Sequence, residues 1–296
     1  MRTAMKTTTA LPRFIGGLVR RVVGMVPDVV RHGVPSPLQS IPPRTSFNGV
    51  VGEGRTLAFT SLSVDDMKAI RRRLGVTVND VIVAVCADAL ERYLDRIGEP
   101  VPDRPLSIAV PVSMRTAGDD AELTNRVSAF PISVPTRPDG PVQRVNAVAR
   151  ETERGKQLAA TFATNRLPSF GELMVPGAWA LAARAMTPLF GLMPVVMNTM
   201  VSTVRAPEIP FYVRGARVTG IFPTSVVLAN MGINFTAMSS GGRVDVGITV
   251  DPELVPDPWL IADALPEALA DLMCAAGLGD AHPVPLFATG RPCGVS

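Results

Sequence analysis

Thr77-Val78-Asn79-Asp80 puts a hydroxyl, an amide and a carboxylate within four residues, directly ahead of a long apolar run. Thr and Asp three positions apart have the spacing of a capping box, with Asp in place of the more usual Glu. Oxygen and negative charge are favoured there because the first helical amides leave a partial positive charge. The group is thus either a helix start or part of a site that orients a substrate, and the helix start is the plainer reading. Other chemistry is sparse. His32 and His282 are the only histidines, and neither has an acid at a useful spacing. No GxSxG elbow, P-loop, GxGxxG or HExxH occurs. Asp251 and Glu253 are near each other, but at a proline-flanked strand exit that reads as structural. Cys86, Cys274 and Cys293 are far apart without CxxC or Cys/His spacing, so they read as reduced thiols and imply no metal site. Residue by residue, the chain shows no self-sufficient catalytic centre.

The elements that would position Asn79 and Asp80 are legible from periodicity. Val78, Val81, Ile82, Val85, Ala89, Tyr93 and Leu94 recur at three- and four-residue steps, so a helix that starts at Thr77 and ends near Gly98-Glu99-Pro100 should bury one face. Asp88, Glu91, Arg92, Asp95 and Arg96 should line its wet side. Before it, Thr56–Leu62 alternates like a strand, and Ser63-x-x-Asp66 starts a helix over 64–74 that Gly75 stops. Arg71-Arg72-Arg73 reads as its solvated last turn. Leu106–Val112 is a short strand, followed by a polar loop to Asn125. Arg126–Thr136 is a second strand, at an edge or bulged because of Pro131. Residues 141–162 form an amphipathic helix. The most apolar stretch, 172–204, reads as a buried helix leading into a central strand; a transmembrane span is the weaker reading, because Pro, Gly, Asn and Thr interrupt it. Val213–Ile221 reads as a strand after Gly215. Ile233–Met238 and Arg243–Val250 form a hairpin around Ser239-Ser240-Gly241-Gly242. A last helix covers about 258–276, and the tail from Gly277 is expected to be loose. The pattern is a layered α/β (α+β) fold with a mixed sheet flanked by helices.

The 296 residues carry a net charge of +3, unevenly spread. Residues 1–32 hold Arg2, Lys6, Arg13, Arg20, Arg21 and Arg31 against Asp28, leaving 23 basic and 25 acidic side chains elsewhere. That balance excludes a nucleic-acid binder and describes a near-neutral body with a basic leader. Residues 13–31 are amphipathic, suited either to an anionic membrane or lipid-droplet surface or to packing on a neighbouring domain. Without a secretory signal, the chain reads as cytoplasmic, with peripheral membrane contact as the alternative should that leader lie on lipid. Domain organisation follows: a basic helix and proline-rich linker over 1–43, a folded body over 44–277 and a flexible tail over 278–296. Few aromatics and plentiful Met point to a pliable apolar surface or tunnel.

The stretches RTSFNGVVGEGR (44–55), GVTVNDVIVAVCADALERYL (75–94), IAVPVSMR (108–115), VSTVRAPEIPFYVRGARVTGIFP (201–223) and INFTAMSSGGRVDVGITVDPELVPD (233–257) occur in an order that resembles the C-terminal half of the bacterial wax ester synthase/diacylglycerol O-acyltransferase family. The resemblance implies one lobe of a two-lobed fold like chloramphenicol acetyltransferase and peptide-synthetase condensation domains. It implies fatty acyl transfer from acyl-CoA, as co-substrate rather than bound cofactor, to a diacylglycerol or long-chain alcohol. Two departures stand out. The family's HHxxxDG base is missing, since no His-His pair occurs, so no catalytic residue is assigned and the chain is expected to be inactive alone, its N-terminal lobe supplied by another chain. The family's Ser-Asn-Val-Pro-Gly-Pro reads Ser202-Thr203-Val204-Arg205-Ala206-Pro207 here. By resemblance Asn79, Asp80, Arg115 and Asn125 carry family motifs of a structural kind, while Ser202, Thr203 and Thr236 are candidates for a hydroxyl in the tunnel or near the oxyanion. The alternative is a non-catalytic remnant that binds lipid or a partner at the membrane surface.

Overall fold

The computed structural model describes residues 41–113, 127–163, 195–206, 209, 211–282 and 284. The chain divides into two compact units, Met1–Ile41 and Pro42–Ser296, and every strand and helix among the described residues belongs to the second. The helix expected at 13–31, the loop bearing Arg115 and Asn125, the apolar stretch 172–194 and the tail beyond 284 lie outside the described residues.

The strands are β1 (Thr56–Ser63), β2 (Leu106–Ser113), β3 (Val127–Val134), β4 (Thr199–Arg205), β5 (Tyr212–Val213), β6 (Ala216–Arg217), β7 (Ile233–Ser240) and β8 (Arg243–Val250). The helices are α1 (Val64–Leu74), α2 (Val78–Arg96), α3 (Pro141–Ala163) and α4 (Trp259–Ala275). Six strands form one mixed sheet in the order β1-β8-β7-β4-β2-β3. β4 lies inside it and runs parallel to both β2 and β7; the remaining pairs are antiparallel. β3 is an edge strand, where the missing N–H of Pro131 disturbs no interior ladder. The β7–β8 turn is tighter than the four residues expected. Only Gly241 and Gly242 stand outside the strands, both at positive φ (55° and 83°), as a two-residue hairpin requires.

The sheet's two faces differ. Val244, Val246, Ile248 and Val250 of β8, with Ile233, Phe235 and Ala237 of β7, Val201 of β4 and Ile108 of β2, enter one apolar core with α2. α2 lies in the middle of the helical layer, between α4 and α3. It is therefore buried nearly all round rather than on the one face expected from its periodicity. Glu91 shows the consequence. Expected on the wet side, it is 7 % exposed, because α3 places Arg144 over it in a bidentate pair at 2.6 and 2.8 Å. Asp88 and Arg92 extend that pairing towards Glu267 and Asp271 of α4.

On the opposite face an irregular strap replaces the strand expected at 213–221. β5 and β6 form a small separate ribbon. Beyond it the chain crosses β8, held by side chains rather than a ladder: Ile221 N–H donates to Asp245 Oδ2 at 2.9 Å and Ser225 N–H to Thr249 Oγ1 at 3.4 Å. Phe222 packs on Phe59 with ring centroids 4.6 Å apart and planes tilted by 38°. A Cβ at Gly247 would stand 1.8 Å from the Pro223 carbonyl oxygen, so only glycine lets the strap lie this close.

The start of the tail is tied down, contrary to expectation. Leu278 and Ala281 pack on the core. The His282 N–H donates to Asp66 Oδ2 at 2.7 Å, and its Nδ1 lies 2.5 Å from Asp66 Oδ1. The acid that sequence spacing failed to supply comes from α1, 216 residues away. Hydrogen bonding to the buried Asp66, then its charge, raises the His282 pKa above the ordinary imidazole value, and Asp65 adds to it. A raised folded-state pKa means that the clasp is at full strength below the ordinary histidine pKa of about 6.5. It weakens as pH climbs through the raised value. Hydrogen exchange at the His282 amide, corrected for intrinsic rates, should accelerate across that window. Asp66→Asn should remove the pH dependence; an unchanged profile in that variant would count against the clasp.

Candidate functional site

The head of α2 is built as its sequence predicts. Thr77 Oγ1 accepts from the Asp80 N–H at 3.2 Å, and Asp80 Oδ2 accepts from the Thr77 N–H at 2.9 Å and from its hydroxyl at 2.6 Å. Both halves of the capping box are present. One oxygen of Asp80 does all this work. The other, Oδ1, is buried without a hydrogen-bond partner. Between them Asn79 stands half-buried, and its Oδ1 accepts a 2.8 Å hydrogen bond from the Thr203 hydroxyl of β4. Residues 124 apart in the chain are thereby joined at the central helix and the central strand.

The three hydroxyl candidates do not converge. Thr203 shares the helix-facing side of β4 with Val201 and Thr199. Ser202 projects to the opposite face, where its register partner is Thr236 of β7. Thr236 is 6 % exposed, and its hydroxyl donates to Asn234 Oδ1 at 3.1 Å. Ser202 is half-buried beside it. The sheet therefore separates Thr203, which meets Asn79, from the Ser202–Thr236 pair.

Two asparagines that sequence reading passed over set the position of β4. Asn198 is fully buried. Its Oδ1 accepts from the Ser107 N–H at 2.8 Å, and its Nδ2 donates to the Pro43 carbonyl at 2.7 Å and to Asn48 Oδ1 at 2.8 Å. Asn48 Nδ2 donates in turn to the carbonyls of Asn198 (3.0 Å) and Asn230 (2.7 Å). This junction joins the entry segment, β2, β4 and the loop before β7. The RTSFNG run that contains Asn48 is legible in the sequence, but an isolated Asn carries no signal of what it will bridge. Asp251, as expected, is structural: it is fully buried and accepts from the Gly52 N–H at 2.6 Å and the Glu253 N–H at 2.8 Å. Burial pushes the Cys86 thiol pKa far up, which leaves it inert. A groove of about 450 Å³ lined by Arg137, Asn146 and Arg150 lies at the far end of α2, where Arg137 meets Glu91 and Asp95.

No helix among the described residues is long and apolar enough to cross a membrane. The 20-residue uncharged run before Arg205 ends in β4, not in a helix.

Comparison with known proteins adds to this geometry. Residues 123–273 match the WS/DGAT C-terminal domain, and residues 1–82 match the wax ester synthase/diacylglycerol acyltransferase catalytic domain. A Mycobacterium tuberculosis protein named as a diacylglycerol O-acyltransferase is 33% identical over 269 residues, covering 91% of this chain and 52% of its own length. The O-acyltransferase WSD of Acinetobacter baylyi is 27% identical, covering 86% of this chain and 53% of its own. The solved wax ester synthase/diacylglycerol acyltransferase of Marinobacter aquaeolei VT8 superposes with a TM-score of 0.62 at 26% identity, covering 86% of this chain and 57% of that one. The chain thus spans about half the length of these relatives. With the motif order, the mixed sheet and the matched domain all in agreement, the chain belongs to the wax ester synthase/diacylglycerol acyltransferase family.

Proposed function

We propose that this chain forms the C-terminal lobe of an O-acyltransferase that moves a fatty acyl group from acyl-CoA to the hydroxyl of a diacylglycerol or long-chain alcohol. The observation that carries the reading is the contact between the family's Asn79-Asp80 helix start and the central strand β4, in a chain that contains no His-His pair. In such a transfer the alcohol oxygen attacks the thioester carbonyl carbon. A base takes the alcohol proton, the tetrahedral intermediate collapses, and the C–S bond breaks to release CoA, whose sulfur takes up a proton. The base is typically worth about 10²–10⁴-fold, and donors near the developing oxyanion supply a further large share. In this reading the C-terminal lobe supplies a wall of the cleft and positions the thioester, and the base comes from an N-terminal lobe on another chain. A membrane or lipid-droplet surface is where both substrates would be met.

The purified chain should release no CoA from palmitoyl-CoA and diacylglycerol above the protein-free rate. Co-expression with a family N-terminal lobe carrying HHxxxDG should restore release. Turnover by the chain alone would sink the split-enzyme reading. Lipid binding without any rescue would favour the second reading, a non-catalytic lipid- or partner-binding remnant, which the altered Ser202–Pro207 passage supports.

A further inference from the structure

The geometry points to Thr203 as a positioning residue. Its hydroxyl fixes the side-chain amide of Asn79 so that the NH₂ group, not the carbonyl, is presented as a donor to the acyl thioester's carbonyl oxygen. The inference rests on the acyl-CoA reading above and adds a residue to it.

Asn79 occupies the second position of α2, where the chain enters the helix beneath β4. Its amide has two different ends, and rotating it by half a turn exchanges a donor for an acceptor at nearly no steric cost. Something must therefore choose the orientation. The Thr203 hydroxyl does so by donating to Oδ1 at 2.8 Å. With Oδ1 taken, Nδ2 has no hydrogen-bond partner among the described residues and is not sealed off, since Asn79 is only half-buried.

The surroundings select the kind of group Nδ2 would meet. A bare helix start would favour an anion, such as a CoA phosphate. Here the Asp80 carboxylate already occupies that place against the first turn, 3 % exposed and with Oδ1 unpartnered. A second anion would be repelled, whereas a neutral, polarised carbonyl oxygen accepts from an amide donor without that penalty.

Three forms of the full chain test this: wild type, Thr203→Val, which keeps the shape without the hydroxyl, and Thr203→Ser, which keeps the hydroxyl. The first readout needs no ligand. The Asn79 Nδ2 proton pair, assigned by its loss in Asn79→Ala, should shift in Thr203→Val and stay in place in Thr203→Ser. The second uses two CoA probes, a ketone analogue, S-(2-oxoheptadecyl)-CoA, and the carbonyl-free thioether, S-heptadecyl-CoA. Wild type and Thr203→Ser should prefer the ketone by roughly tenfold, the worth of one good hydrogen bond; Thr203→Val should lose that preference while thioether affinity holds. A purely structural role would weaken both probes alike. Unmoved Asn79 signals, or a ketone preference that survives Thr203→Val, overturns the inference. Failure of wild type to bind either probe instead removes the acyl-CoA reading beneath it.

Discussion

Replacing Asn198 by alanine is expected to lower the unfolding free energy by about 3–5 kcal/mol, because each buried group left unsatisfied costs about 1–3 kcal/mol. Two groups lose their partner at once, the Ser107 N–H and the Pro43 carbonyl, while Asn48 Oδ1 loses one of its two donors and keeps the Thr45 hydroxyl at 2.7 Å. The site is fully buried, so water cannot readily replace the amide. Asn198→Asp should be no better. It retains an acceptor for Ser107 but turns a carboxylate oxygen towards two oxygens that had been receiving protons. Asn48→Ala should be costly for the same reason, yet the double variant should fall short of the sum, since both singles break the Asn198–Asn48 bond. Urea unfolding midpoints check this, and simple additivity would refute the shared junction. The effect should also reach the candidate site. Asn198 fixes β4 against β2 directly before the strand begins, and Thr203 lies five residues on. Loosening that end should therefore loosen the Thr203–Asn79 contact as well.

The local parts of the fold were legible because their determinants are local. Ser63 and Gly75 bracket α1, and Thr77 with Asp80 starts α2, as their spacing requires. The alternation in β7 and β8 and the paired glycines between them specify the hairpin. What could not be read depends on partners far along the chain. The apolar pattern of α2 shows that a face is buried, but not that α3 and α4 close over its sides. Glu91 therefore looks wet until Arg144 is placed. The 218–227 strap has strand-like composition, yet bonds from Asp245 and Thr249 hold it across the sheet instead of in it. The same holds for the site. Asn79 was picked out by its motif and Thr203 by its place in a resembling one, but only the parallel register of β4 and β7 shows that Thr203 faces the helices while Ser202 faces away.

The second large effect belongs to Arg144. Its side chain is 5 % exposed and that of Glu91 9 %, so the pair is effectively buried. Removing one member strands a charge in the interior. Arg144→Ala should therefore cost about 3–5 kcal/mol, the range for breaking a buried pair from one side. The Arg137 N–H, at 3.2–3.3 Å, remains as a neutral donor to Glu91 and offsets only part of the loss. Removing both charges should be far milder. An Arg144→Met, Glu91→Leu double variant fills the space with apolar atoms and should lie within about 1–2 kcal/mol of wild type, on either side, because the desolvation cost of the pair vanishes with its attraction. Arg144→Lys separates charge from geometry. Nε of Arg144 has no partner, so lysine forfeits nothing there; it loses the second arm of the fork to Glu91 and the 3.3 Å contact with Asp88. A cost of about 1–2 kcal/mol follows from those losses. In urea midpoints, wild type, the double variant and Arg144→Lys should all stand clearly above Arg144→Ala. A double variant as unstable as Arg144→Ala would show that the side chains matter here for their shape rather than their charge. Because α2 bears both Glu91 and the Asn79 contact, the ordering also separates anchoring of the helix from its start. Arg144→Lys should loosen α2 against α3 while leaving the Thr203–Asn79 hydrogen bond, three turns away, intact.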